Sequence, residues 1–310
     1  MTDHARSEAS PQPAPLRVLE LYCGIGGCSA ALAGQAESVA AIDINRQALD
    51  VYRYNFSHPV VAGLVESVEV ERLQQWAADL WWLSPPCQPF TRRGKQRDLD
   101  DPRAQTFLAS LERLAAVRPA YVALENVPPF RRSRARDRLL DTLTRAGYGE
   151  IREQVLCPTE LGRPNRRRRY YLLASRRPLA PASPLPKRSA LTPLSLYLDP
   201  EPLPDLTVDP ALVERYRGAL HIVHGEDPTA VTHCFTSAYG RSPVRSGSYL
   251  ATSHGIRRFA PTEILRLLGF PAGFRLPAEL PRANAWRLVA NSLSIDAVRH
   301  VLAPIPELGG

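Results

Sequence analysis

The apolar run Leu16-Arg17-Val18-Leu19-Glu20-Leu21 is broken at once by Tyr22-Cys23-Gly24-Ile25-Gly26-Gly27, and a stretch of small residues follows. A strand that ends in a glycine-rich turn and opens a helix is the first half of a βαβ unit. Residues 16–22 therefore read as strand and 28–34 as helix. Strand 38–44 and helix 46–55 follow, the helix behind an Asn45 N-cap. Strand 80–84, helix 105–116, strand 120–124, helix 136–146 and strands 151–156 and 169–174 continue the alternation. This rhythm predicts an α/β fold, doubly wound around a mostly parallel sheet, with ligands bound at the carboxyl ends of the strands. From 176 to about 209 prolines crowd in and periodicity fades, which marks a linker or the start of a smaller irregular unit. Helical pattern returns at 262–268 and 283–302.

Charge and cysteine usage narrow the function classes. The 310 residues carry a net charge of +8, which points to a polyanionic partner. An arginine-rich composition explains such a charge about as well, but the arginines are clustered: 92, 93 and 97 with Lys95, then 131, 132, 134, 136 and 138, then 166–169. The first two groups suit phosphate contacts, with a solvated helix face as the plainer role for Arg134 and Arg138. Five cysteines, odd in number and without a Cys-x-x-Cys pair, argue against a disulfide framework and a zinc site. They favour a reducing cytoplasm. No apolar stretch is long enough to span a bilayer, and residues 1–15 read as a disordered tail.

The glycine turn is a cofactor site in pattern. Asp43 ends the next strand about 20 residues on, where a carboxylate accepts hydrogen bonds from ribose hydroxyls. A nicotinamide dinucleotide is the obvious rival ligand. The set Gly24-x-Gly26-Gly27 lacks the third spaced glycine, however, and nothing downstream suits hydride transfer. S-adenosylmethionine, which needs no pyrophosphate cradle, fits better.

Pro86-Cys87-Gln88-Pro89 stands just past the apolar run Leu80-Trp81-Trp82-Leu83. A lone cysteine is more often an inert packing residue; here the preceding Pro85-Pro86 and the basic loop that follows place it where a strand-end nucleophile would sit. Cytosine C5 is a poor nucleophile until a thiolate adds at C6. Cys87 would be that thiolate, its pKa lowered by nearby arginines or a helix N-terminus. Glu125, at the end of strand 120–124, would bind the exocyclic amine and protonate N3, which calls for a raised pKa in a dry pocket. Arg167 and Arg169 alternate on an extended segment, so both face one side and would hold the base carbonyl and a phosphate. A solvated edge strand protected by charge is the plainer reading of that run.

The ordered set Glu20-to-Gly27, Asp43, Pro86-Cys87-Gln88, Glu125-Asn126-Val127, Asn165-x-Arg167-x-Arg169 and Asn291-Ser292 resembles the motif series of the cytosine-C5 DNA methyltransferases. Ser84-to-Arg92, Leu124-to-Val127, and above all Cys234-Phe235-Thr236 with Tyr239-Gly240 and Ser246-Gly247-Ser248, look like its tRNA-methylating branch, the tRNA-Asp cytosine-38 methyltransferases. The resemblance implies a Rossmann-like class I methyltransferase domain (16–176 with 286–310) and a small target-recognition domain (177–285). It implies methyl transfer from S-adenosylmethionine, leaving S-adenosylhomocysteine, to C5 of a tRNA anticodon-loop cytosine, without a metal. By motif, Cys87 is the nucleophile and Glu125 the base-binding acid, with Arg167 and Arg169 assisting. Tyr22, Gly24, Ile25, Gly26, Gly27, Asp43, Ile44, Ser67, Val68, Ser84, Pro86, Asn291 and Ser292 would line the cofactor. Gln88, Arg92, Arg93, Asn126, Cys234, Phe235 and Thr236 would meet the substrate. Ala238, Asn165 and the dense 166–169 run depart from the usual patterns and bear on substrate choice, not on the reaction.

A restriction-type DNA cytosine methyltransferase would share the same catalytic residues, so DNA stays open as a partner. Such an enzyme usually needs a longer recognition segment, whereas a loop cytosine is cheap to extrude. A non-catalytic nucleic-acid binder on the same fold is disfavoured by the intact Cys87, Glu125 and Arg167. Cys234 reads equally as a site residue or as packing. A monomer suits a tRNA-sized ligand.

Overall fold

The structure, a computed structural model, describes residues 14–91, 97–182, 184–185, 190–200 and 204–309. Arg92, Arg93 and Lys95, and the expected tail up to residue 13, lie outside the described residues. Strand β1 (Leu16–Leu21) leads through the glycine turn into α1 (Gly27–Leu32); β2 (Ala36–Asp43), α2 (Arg46–Asn55), the short β3 (Val60–Ala62), α3 (Val70–Gln75) and β4 (Leu80–Leu83) follow. Then come α4 (Gln105–Val117), β5 (Tyr121–Asn126), α5 (Arg134–Arg145), β6 (Glu150–Leu156), β7 (Asn165–Arg166) and β8 (Arg169–Ser175). The remainder contributes α6 (Pro210–Arg215), β9 (Ile222–His224), β10 (Thr232–His233), β11 (Tyr249–Thr252), β12 (Gly255–Arg258), α7 (Pro261–Leu268), α8 (Arg282–Ala290) and α9 (Ile295–Leu302).

The main sheet has seven strands in the order β3-β2-β1-β4-β5-β8-β6. β8 runs antiparallel to both β5 and β6, and the other pairings are parallel. The order reverses between β1 and β4, so the turns after them diverge and leave a crevice at their carboxyl ends. The reversal of β8 matters equally. Its amino end lies beside the carboxyl end of β5, with Tyr170 opposite Asn126, so the residues just before it reach the same edge.

Side chains alternate across the sheet as the pleat requires. Val18, Leu80, Trp82, Ala123, Tyr171 and Leu173 pack into one core with α1 and α7 to α9. Leu19, Leu21, Trp81, Leu83, Val122, Leu124, Tyr170 and Leu172 pack on the other side with α4 and α5. Both faces are covered, which is why the central strands read as continuous apolar runs. Helix starts follow side-chain caps: the Asn45 carbonyl oxygen accepts from Ala48 N at 3.3 Å, and Ser133 Oγ accepts from Arg136 N at 3.0 Å.

The expected single helix over 283–302 is two helices. Asn291-Ser292-Leu293-Ser294 breaks it, because the two carbonyls at the break point inward to Arg167 rather than continuing the helix. Two strands too short for their periodicity to show, β7 and β10, pair in parallel, Asn165 with Thr232 and Arg166 with His233. Beyond them β12-β11-β9 form a separate three-stranded sheet. No described helix is long and apolar enough to cross a membrane.

Candidate active site

A cleft of about 380 Å³ opens where β1, β2, β4 and β5 end. One half is built by the glycine turn. Gly24 N donates to Asp43 Oδ2 at 2.8 Å, and Asn45 N donates to Asp43 Oδ1 at 2.7 Å, so one carboxylate fixes two successive strand-end turns. Burial holds Asp43 above the usual carboxylate range, against the pull of these N–H groups. Gly26 has φ 89°, and a Cβ there would stand 2.4 Å from Phe56. Only glycine satisfies both constraints. Gly24 (φ 55°) faces open space instead, which leaves its backbone bare to a ligand. Beneath the turn, buried Glu20 accepts from Ser29 N at 3.0 Å and from the Tyr52 hydroxyl at 3.1 Å. Burial pushes Glu20 up to about 7.

Tyr22, Gly24, Ile25, Asp43, Ile44, Ser84, Pro86, Asn291 and Ser292 line the cleft. Ile44 is 65% exposed there, an unusual state for isoleucine at a strand end. The expected Gly26, Gly27, Ser67 and Val68 do not line it. Gly26 and Gly27 are closed off by Phe56 and Leu293. Ser67 donates its hydroxyl to Leu64 O at 2.6 Å, and Val68 packs in the core.

The other half holds the candidate chemistry. Cys87 follows Pro85-Pro86 and starts a turn closed by Phe90 N to Cys87 O at 3.0 Å. Phe90 anchors that turn edge-on to Phe130, centroids 4.9 Å apart. Gln88 joins Cys87 in the lining, as do Glu125, Arg167 and Arg169. Arg169 Nε lies 3.1 Å from Glu125 Oε1. Burial raises the Glu125 pKa, and Arg169 and Arg167 only partly oppose it. The Cys87 thiol goes the opposite way from expectation: burial and the Glu125 charge raise it, and Arg169 and Arg167 do not compensate. The arginine pair instead serves Cys234. Arg167 Nη1 donates to its sulfur at 3.5 Å and Arg169 Nη2 at 3.7 Å. Although burial pushes that thiol up, the two guanidiniums bring it below its ordinary value.

Several residues act from behind the wall. Asn126 is buried, and its amide donates to Pro85 O at 3.3 Å; it pins the Cys87 turn to β5 and is not among the residues that line the cleft. Arg167 donates to Ala290 O at 3.0 Å and to Ser292 O, clamping the break between α8 and α9 to the cleft. Phe235 packs in T-shaped contact with Tyr239 and Phe259 at 5.0 and 5.3 Å. Thr236 N donates to Ser246 O at 2.8 Å. Cβ atoms on Gly240 or Gly247 would meet Trp286 or Phe235 within 2.4 to 2.6 Å. So Phe235 and Thr236 lie away from the cleft lining, and that whole motif is a packed knot that delivers Cys234 to the arginines. Arg103 and Val127, which sequence reasoning missed, also line the cleft. Arg103 is held by Asp101 at 2.8 and 2.7 Å, and its only trace in the sequence is the basic loop after Cys87.

This geometry has relatives. The profile of the C-5 cytosine-specific DNA methylase family matches residues 16–235. The chain belongs to that family. The human tRNA (cytosine(38)-C(5))-methyltransferase is 31% identical, over 94% of this chain and 100% of its own length. A Dictyostelium discoideum DNA (cytosine-5)-methyltransferase is 30% identical over 93% of each. The crystal structure of the S. pombe Dnmt2 methyltransferase superposes with a TM-score of 0.82 at 29% identity, covering 94% of this chain and 99% of that one. The fold is that of a Rossmann-like methyltransferase, and as a member of this family the protein is an S-adenosylmethionine-dependent cytosine-C5 methyltransferase.

Proposed function

We propose that this protein methylates C5 of a cytosine in a tRNA anticodon loop, at position 38, with Cys87 as the nucleophile. The observation that carries the reading is the convergence of Cys87, Glu125, Arg167 and Arg169 in one cleft with the Gly24–Asp43 turn. The names of the human and other curated relatives support tRNA as the substrate.

The cofactor half fits S-adenosylmethionine. Gly24 offers open backbone, Asp43 retains acceptor capacity for ribose hydroxyls, and exposed Ile44 offers an apolar surface for adenine. When bound, S-adenosylmethionine supplies an electrophilic methyl group. Tyr22, Ile25, Ser84, Pro86, Asn291 and Ser292 complete the wall around it.

Cys87 and Glu125 share the remaining work. The Glu125 charge raises the Cys87 thiol, so the cleft favours one negative charge on the pair. Thiolate attack on C6 forms the S–C6 bond while the Glu125 carboxyl gives its proton to N3. The electron pair displaced from the C5–C6 double bond makes C5 nucleophilic. Once C5 is methylated, loss of its proton to solvent water re-forms that double bond and expels the Cys87 thiolate; N3 returns its proton to Glu125. Arg169 orients the Glu125 carboxyl throughout, and Gln88 stands beside the base.

We further propose that residues 177–285 serve as the target-recognition domain, and that the protein works as a monomer in the cytoplasm. The small β12-β11-β9 sheet supports the recognition role, and the five free thiols support the cytoplasmic location. Transfer of labelled methyl to total tRNA and, in parallel, to duplex DNA tests the proposal, with Cys87→Ala as control. Label in tRNA that vanishes in the variant is the expected result. Label in DNA alone would move the protein to the DNA-methylating members.

A further inference from the structure

The two arginine runs divide cleanly once their partners are known. In the 131–138 run, Arg134 pairs with Asp100 at 2.6 Å, Arg136 donates Nε to Glu153 at 2.9 Å, and Arg138 faces Asp141 at 3.9 Å. Arg131 and Arg132 are exposed and have no carboxylate partner among the described residues. The nearby Glu153 is already taken by Arg136 and by the Tyr170 hydroxyl. In the 166–169 run, Arg167 and Arg169 turn into the cleft, so strand alternation turns Arg168 out to solvent, also without a carboxylate partner among the described residues.

These three free guanidiniums meet. Arg131, Arg132 and Arg168 line one open groove of about 850 Å³, floored by Val127, Pro129 and Val155. The acid on its wall, Asp98, accepts from Arg134 N at 2.6 Å and Ala135 N at 3.1 Å, which leaves it committed to the α5 N-terminus. The groove is not isolated. Val127 lines both it and the cleft, and its far wall, Pro89 to Thr91, continues directly from Cys87 and Gln88. Three like charges gathered in one groove repel one another unless an anion lies between them.

We propose that this groove is a backbone-binding track: it takes the phosphates of the nucleotides flanking the target cytosine on one side. Val127 and Pro129 give the riboses an apolar floor, while the exposed guanidiniums hold phosphate oxygens bidentately. The inference rests on the reading of the cleft as a tRNA cytosine site, and it assigns the substrate's direction of exit from that cleft.

The test compares equilibrium binding of an anticodon stem-loop RNA, across a salt series, by the wild type and by the variant Arg131→Ala/Arg132→Ala/Arg168→Ala. A matched variant, Arg53→Ala/Arg138→Ala/Arg145→Ala, removes the same charge from exposed residues paired with Asp50 and Asp141. With roughly 0.7 in slope per single-strand phosphate contact, the groove variant should lower the slope of log affinity against log salt by about two. It should also lose at least about tenfold in affinity near physiological salt, while S-adenosylmethionine affinity by calorimetry stays as in the wild type. The matched variant should keep the wild-type slope. An unchanged slope in the groove variant, or an equal fall in both variants, overturns the track. Wild-type protein that methylates DNA but not tRNA would instead overturn the substrate reading. The salt series run on that DNA then decides the groove by the same comparison.

Discussion

Arg169 Nε and Glu125 Oε1 stand 3.1 Å apart across the antiparallel β5–β8 pairing. That contact exists because β8 alone reverses direction in the sheet. A parallel β8 would carry Arg169 to the opposite edge, far from the strand ends where Cys87 and Glu125 lie. Arg169 thereby opposes the burial that raises Glu125. It also fixes the plane of the carboxyl that, in the proposed reaction, meets both the amine and N3 of a cytosine.

Replacing Glu125 by Gln should therefore lower single-turnover methyl transfer by roughly 10²- to 10⁴-fold, with S-adenosylmethionine affinity kept. Replacing Arg169 by Gln should act differently. Glu125 loses the cation that holds it down, so the limb of the pH–rate profile that belongs to Glu125 should move to higher pH. An unmoved limb would leave Arg169 a purely structural role.

The same charge acts on Cys87. Its thiol lies above the ordinary value, first through burial and then through Glu125. Iodoacetamide should modify Cys87 slowly at pH 7 in the unliganded protein and faster as the pH rises past 9. In Glu125→Gln the neighbouring negative charge is gone, and alkylation at pH 8 should quicken several-fold although catalysis falls. Site-resolved mass spectrometry reads this directly. Equal alkylation rates in the two proteins would show that the carboxylate and the thiol are not coupled.

The two glycines of the turn should respond unequally to alanine. Gly24 has φ 55°, and a Cβ added there would meet nothing within 4 Å, so Gly24→Ala incurs only the left-handed backbone cost of about 1 kcal/mol. Gly26 adds a clash at 2.4 Å with the Phe56 ring and 2.9 Å with Tyr52. Gly26→Ala should lose about 2 kcal/mol or more in urea denaturation. Similar losses at both positions would argue against the packing reason for Gly26.

The sheet, the glycine turn and the Cys87–Glu125–arginine set are legible in the sequence because each depends on local pattern. Buried parallel strands read as apolar runs, and Arg167 and Arg169 announce themselves by alternation. What stays hidden depends on distant partners. The break at 291–294 arises because Arg167 claims the Ala290 and Ser292 carbonyls across the cleft, and helical periodicity carries no sign of that. The three residues 234–236 look alike in sequence, yet only Cys234 meets the arginines, since Phe235 is locked against Tyr239 and Phe259. The direction of the Cys87 pKa escapes sequence reading for a related reason. The pattern shows arginines nearby, but not that their guanidiniums turn toward Cys234, Glu125 and backbone carbonyls.

Glu20 supplies the last prediction, one of stability rather than rate. It lies wholly buried under the glycine turn, and burial lifts it from 4.5 to about 7 against hydrogen bonds from Ser29 and Tyr52. Below about pH 4.5 both folded and unfolded chains hold the proton, and the buried carboxyl carries no charge penalty. As pH rises the unfolded chain ionises first, so the folded state is progressively disfavoured. The loss is complete once the pH passes about 7, and it amounts to about 3 kcal/mol. Glu20→Gln cannot ionise and should lack this slope. The variant should be the less stable protein at pH 5, where the amide puts two N–H donors at the Oε2 position, which has no hydrogen-bond partner among the described residues, in place of the acid's single O–H. By pH 8 the gap should close or reverse, the change between the two pH values being about 2.5 kcal/mol. Urea unfolding at both values measures it, and a constant gap would mean that Glu20 ionises in the folded chain at the same pH as in the unfolded one.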